Sequence, residues 1–262
     1  MRNSGLSVLL FCGLLLADCG QRETLPPVDV DSEAKVQYAY FPLYIGQYQV
    51  YQIDSVVYDF APAGTSKRAS TTFAKEIVTD SLLDNTGTLR YTVERYERAN
   101  ATQPWQLTSI ETAQRTSDQA IRTENNLRFL KLIFPMDRRS EWDGNRWIDP
   151  DREISIADER MRPFSNWRYE VDSIDVPAKV GPFSYDSTLF ITEVDENNVV
   201  ELRLSRVRYA KGKGLVWREQ RILDSQYCNR TPPPTDCATK PWEEKAERGY
   251  TLTQTMIEYG RE

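Results

Sequence analysis

The sequence predicts an all-β protein: a single antiparallel β domain, either a sandwich or a strongly curved half-barrel, behind a disordered tether. Three observations predict it. Apolar and polar residues alternate in segments of about eight to twelve residues punctuated by turn signals. Those segments are rich in β-branched and aromatic residues, which suit a half-buried pleated surface. Helical periodicity is hard to find, and only residues 236–248 suit a helical turn.

The chain opens with Met1-Arg2-Asn3 and an almost wholly apolar run over residues 6–16. A positive start and a short apolar core make an export signal, too short to span a bilayer. Leu16-Ala17-Asp18-Cys19 then resembles the bacterial lipobox, where signal peptidase II cuts before an acylated cysteine. Asp18 departs from the small residue usual before that cysteine. An ordinary signal peptide is the alternative, but no small-x-small site lies close to Ala17. The expected organisation is therefore a signal peptide at 1–18, a flexible tether at 19–35 and a β-rich domain at 36–262. Cys19 would carry palmitate-type acyl chains as the membrane anchor. Residues 21–35 hold Pro, Asp and Glu and little to bury, as a tether requires. Gly20 lacks the Asp used for inner-membrane retention, so the outer membrane is the expected location.

Within the domain, residues 48–58 read as a long strand ending before Pro62-Ala63-Gly64. Residues 72–83 and 89–97 flank Asp84-Asn85-Thr86-Gly87, a turn whose residues tolerate positive φ, and so form a hairpin. Further strands are expected at 105–116, 120–135, 167–176, 184–194, 199–209, 215–223 and 250–259. Tyr51-Gln52-Ile53-Asp54-Ser55-Val56 echoes Tyr169-Glu170-Val171-Asp172-Ser173-Ile174. A duplication would give two similar β units; common strand composition explains the echo equally well.

Composition excludes several function classes. A formal net charge of −6 argues against nucleic-acid binding, which needs a basic face that this composition would have to concentrate locally. The chain has no histidine, which removes the commonest general base, the Ser-His-Asp and Cys-His constellations, and the usual transition-metal ligand sets. No cofactor or metal is expected. Cys228 and Cys237 flank a Pro-rich stretch and are expected to form a disulfide that pins an exposed protrusion, two buried thiols being the alternative. Lys211-Gly212-Lys213-Gly214 lacks the spacing of a phosphate loop and reads as a tight hairpin. Asp143, Asn145, Asp149, Asp151 and Glu153 offer oxygen ligands, but not at EF-hand spacing. They read more simply as a turn, with Trp142 and Trp147 packed inward. The six tryptophans are read as core before they are read as a sugar platform.

Three segments carry a wider resemblance. They are Phe41-Pro42-Leu43-Tyr44-Ile45-Gly46-Gln47-Tyr48 running into Val50-Tyr51-Gln52-Ile53-Asp54-Ser55, Leu130-Lys131-Leu132-Ile133-Phe134-Pro135 followed by Trp142-Asp143-Gly144-Asn145, and Tyr209-Ala210-Lys211-Gly212-Lys213-Gly214-Leu215-Val216-Trp217-Arg218-Glu219. In order and composition they resemble an uncharacterised lipoprotein family of the Bacteroidota. The resemblance implies an exported lipoprotein of a Gram-negative envelope and lends no activity, ligand or catalytic residue. Ser55, Ser81, Ser173 and Ser187 each follow an Asp, resembling the O-glycosylation acceptor of that phylum.

The expected function is a non-enzymatic envelope lipoprotein that binds or scaffolds an envelope protein or glycan. One alternative is a carrier of lipid or another apolar ligand, which needs an unfilled apolar cavity. Another is a carbohydrate hydrolase using two carboxylates around residues 143–153.

Overall fold

The computed structural model describes residues 31–61 and 64–262. The export signal, Cys19 with its lipidation, and the first part of the tether lie outside the described residues. The fold is all-β, as the alternation predicts. Among the described residues fourteen strands form a twelve-stranded antiparallel sheet and a separate two-stranded ribbon.

The sheet is a meander in chain order. β1 (Gln47–Ala61), β2 (Gly64–Leu83), β3 (Leu89–Arg98), β4 (Gln106–Arg115), β5 (Gln119–Glu124) and β6 (Leu127–Ile133) pair successively. The two-residue β7 (Glu141–Trp142) pairs with β10 (Tyr169–Val180). β11 (Phe183–Asn197), β12 (Glu201–Ala210), β13 (Gly214–Asp224) and β14 (Arg248–Arg261) follow, and β14 returns to pair with β1. The ribbon β8 (Ile154–Ile156) and β9 (Glu159–Met161) lies in the β7–β10 connection.

The sheet curls until its edges nearly meet. Leu130 on β6 donates its N–H to Gly144 O at 2.8 Å and accepts from Trp142 Nε1 at 2.9 Å. Those bonds satisfy an edge backbone that would otherwise be an unpaired template. Gly144 is required there, because a Cβ would stand 2.3 Å from the Tyr169 ring. The result is a nearly closed barrel, closer to the expected half-barrel than to a sandwich. The residues echoing one another fall on β1 and β10, both within this one sheet rather than in separate units.

Strand direction defines two ends. One holds the β2–β3, β4–β5, β10–β11 and β12–β13 turns, and α1 (Asp31–Gln37) with the 3-10 turn Tyr38–Tyr40 closes it. An α-helix thus stands where tether was expected up to residue 35. It forms because it has partners. Ala34 is buried, the Gln37 amide bridges both backbone groups of Met136, and Arg115 donates to Tyr38 O and Phe41 O. Tyr40 donates to Asp175 at 2.8 Å and bonds Ser187 at 2.9 Å, with Lys211 also on Asp175.

The main core lies inside the barrel beneath this plug. Tyr40, Phe41 and Leu43 pack there with Val78, Val93, Leu130, Leu132, Tyr169, Ile191 and Val207. A satellite cluster lies elsewhere. Leu202, Leu204 and Leu223 pack with Tyr58 under Trp242 of α2 (Trp242–Lys245), the helical turn expected within 236–248. The connection leading to α2 carries the Cys228–Cys237 disulfide, which is formed.

Candidate functional site: a charged layer inside the barrel

Strand alternation sends every second residue of a barrel inward. On β2 the inward set is Ala74, Glu76 and Val78, so a carboxylate shares the phase of the core. The same happens elsewhere. Arg95 stands directly opposite Glu76 on β3, and Arg218 stands directly opposite Gln254 across β13 and β14. Directly opposed residues of an antiparallel pair project from one face, so these side chains meet in the lumen.

The layer is tied together by guanidinium groups. Arg95 Nη1 lies 2.7 Å from Glu76 Oε1, and its Nε lies 2.8 Å from Glu97 Oε1. Arg122 Nη2 reaches Glu76 Oε2 and Glu111 Oε2, each at 2.8 Å. Glu124 Oε1 lies farther from its cations, 3.5 Å from Lys131 and 3.6 Å from both Arg122 and Arg218. Glu193, 1% exposed, accepts from Ser205 at 2.6 Å.

The carboxyls respond differently to burial. Burial acts to raise Glu76 and Glu124, but cations outweigh it: Arg122 and Arg95 at Glu76, and Lys131, Arg218 and Arg122 at Glu124. Both are held below the ordinary carboxylate range. At Glu111 burial outweighs the pull of Arg122, and its carboxyl is raised. The nearby carboxylates hold Arg122 and Arg218 firmly charged against burial.

Two spaces flank the layer. Beneath the plug a gap of about 50 Å³ is lined by Phe41, Leu43, Val78 and Val93 as well as by Glu76, Arg122 and Lys131. On the other side a chamber of about 290 Å³ reaches Glu97, Thr108 and Asn125, at the end opposite the plug. The chamber wall is polar, with Ile53 and Leu252 its apolar members. A lumen crossed by this layer is not the unfilled apolar cavity an apolar-ligand carrier needs, which corrects that expectation.

The other residues singled out in the sequence lie apart from the lumen or beside it. Asp143, Asp149, Asp151 and Glu153 are on exposed turns, with Glu153 paired to Arg160 and Arg162, so the carboxylate-pair hydrolase loses its basis there. Among the described residues no cluster has metal-ligand geometry. Trp142 is buried as expected. Trp147 is not: it is 42% exposed and stacks with Arg128, whose planar cation suits an indole face. Lys211-Gly212-Lys213-Gly214 is the β12–β13 hairpin, Gly212 and Gly214 taking φ of 72° and 87°. Ser55, Ser81, Ser173 and Ser187 are all partly buried in strands. The Ser187 hydroxyl is engaged by Tyr40 and Asp175, and that of Ser55 by Ser70.

No protein-family model matches the chain, and neither does any curated protein. Among solved structures the chain is similar to one described as "a putative lipoprotein from Parabacteroides distasonis". The two share 10% identity at a TM-score of 0.36, over 84% of this chain and 98% of the other. At that distance the likeness lends no residue role and no activity.

Proposed function

We propose that this chain is a non-enzymatic lipoprotein of the cell envelope, anchored in the outer membrane through acylated Cys19, that binds an envelope component at the open end of its barrel. The observation that carries the reading is the polarity of the barrel. The described chain enters at the end sealed by α1 and the Tyr38–Tyr40 turn, while the polar chamber lies toward the opposite end. A tether leading to a membrane would therefore hold the sealed end toward lipid.

The surface agrees with that orientation. Tyr44, Ile45, Leu82, Leu83 and Leu89 are exposed large hydrophobics at the sealed end, Leu83 by 66%. Apolar tips at that end suit a lipid surface better than water. Glu76, bonded to both Arg95 and Arg122 and held below the ordinary carboxylate range, is a poor proton carrier.

The test uses the full chain in its native membranes, with a photo-crosslinking residue in place of Thr108 at the chamber or Leu83 at the sealed end. Crosslinks from position 108 to an envelope protein or glycan, and from position 83 to lipid, are expected. Replacing residues 1–19 with an export leader that is cut before an unacylated residue should release the protein from the membrane fraction, because neither the apolar run nor an acyl chain then remains. A fully membrane-bound chain after that replacement, or lipid crosslinks from position 108, would overturn the reading.

A further inference from the structure

We infer that the chamber is a binding site for a small zwitterion of amino-acid size, its carboxylate held by Arg218 and Gln254 and its ammonium by the glutamates at the chamber wall. The inference rests on the reading of the barrel as a binding protein, but not on the anchor.

Gln254 makes the first argument. Its side chain is 3% exposed, it lines the chamber, and its Nε2 has no hydrogen-bond partner. A buried amide donor left unmade costs free energy that a ligand acceptor would return. Arg218, its cross-strand neighbour, repeats the pattern: Nε is unpartnered and the nearest carboxylate stands at 3.6 Å. Two adjacent unused donors, one on a charged planar fork, suit a carboxylate.

Charge balance makes the second. Arg95, Arg122, Lys131 and Arg218 already face Glu76, Glu97, Glu111 and Glu124, and Glu193 adds a further carboxylate near Arg218. A free anion would meet net negative charge, so the ligand must bring its own cation. Glu97, 44% exposed on its side chain, and Glu111, bonded through Oε1 only to Ser109 at 3.3 Å, are the acids with capacity left for an ammonium. Size makes the third argument. A volume of about 290 Å³ sits at the small end of ligand pockets and holds neither a lipid nor an oligosaccharide. The wall offers no aromatic ring for a sugar face.

The test is calorimetric titration of the mature, disulfide-bonded protein with the proteinogenic amino acids, with acetate, methylammonium, inorganic phosphate and glucose as controls. At least one amino acid should bind one-to-one while every control fails. Gln254→Leu should weaken that binding about tenfold or more, with an unchanged or higher melting temperature, because it removes an unpaired buried donor. Arg218→Lys, which keeps the charge and loses the fork, should weaken it as well and reads the site even where Gln254→Leu melts early. The inference is overturned if no amino acid binds at millimolar concentration, if a control binds as tightly, or if both variants bind like the parent. An unacylated Cys19 would leave this titration untouched, so the two proposals fail separately.

Discussion

Arg122 holds Glu76 and Glu111 at once, and that sharing splits the titration of the layer. Glu76 and Glu124 have folded pKa values below their unfolded ones. The stability they contribute is present above the unfolded pKa and is lost as pH falls through the folded value. Glu111 is raised, so its contribution is complete below the unfolded pKa and is lost as pH rises through the folded value. Glu124→Gln should therefore lose melting temperature relative to the parent as pH goes from about 4 to about 7, while Glu111→Gln should gain over the same interval. Melts of the three proteins across that range read both signs, and parallel curves would contradict the assignment. These residues had a signal in the sequence that alternation alone does not decode. Glu76 falls two residues from Ala74 and Val78, and Gln254 two from Leu252 and Met256, so each polar group shares the apolar phase. A strand facing solvent makes such a residue an irregularity, whereas a lumen makes it a wall.

The seam between β6 and β7 is the weakest junction among the elements, since β7 is two residues long. Trp142 bridges it by its bond to Leu130 O, while its ring packs beside Tyr169 of β10 at 5.6 Å between centroids and holds β7 in place. Trp142→Phe keeps most of the packing and removes the bond. It should cost about 1 kcal/mol and raise amide exchange selectively along β6. Uniform exchange changes would show that the seam does not open locally. Most long strands were legible, because their turns carry Asp-Asn-Thr-Gly or Lys-Gly-Lys-Gly punctuation. The run expected at 120–135 is instead β5 and β6, joined by Asn125 and Asn126 at φ of 50° and 61°. Two adjacent asparagines inside an apolar run were the available sign, for they tolerate that backbone as glycine does. β7, β8, β9 and α1 were not legible. Each is held by tertiary partners, as Gln37 is by Met136, rather than by a local pattern.

The molecule as a whole has one end sealed by α1 and the Tyr38–Tyr40 turn and a polar chamber toward the other. The all-β class and the curvature of a half-barrel were readable from alternation, but closure was not. It depends on Leu130 meeting Gly144 across more than a dozen residues of chain. The lumen was equally hidden, since a charged residue's partners across a closed sheet leave no trace in spacing. What ties fold to function is which end faces lipid. The most direct measurement places a single fluorescent cysteine at Leu83 or at Thr108 in the acylated protein on vesicles carrying nitroxide-labelled lipid. Cys228 and Cys237 are paired, so they do not compete for the label. Strong quenching is expected at position 83 and little at position 108, and the reverse order would contradict the proposed orientation.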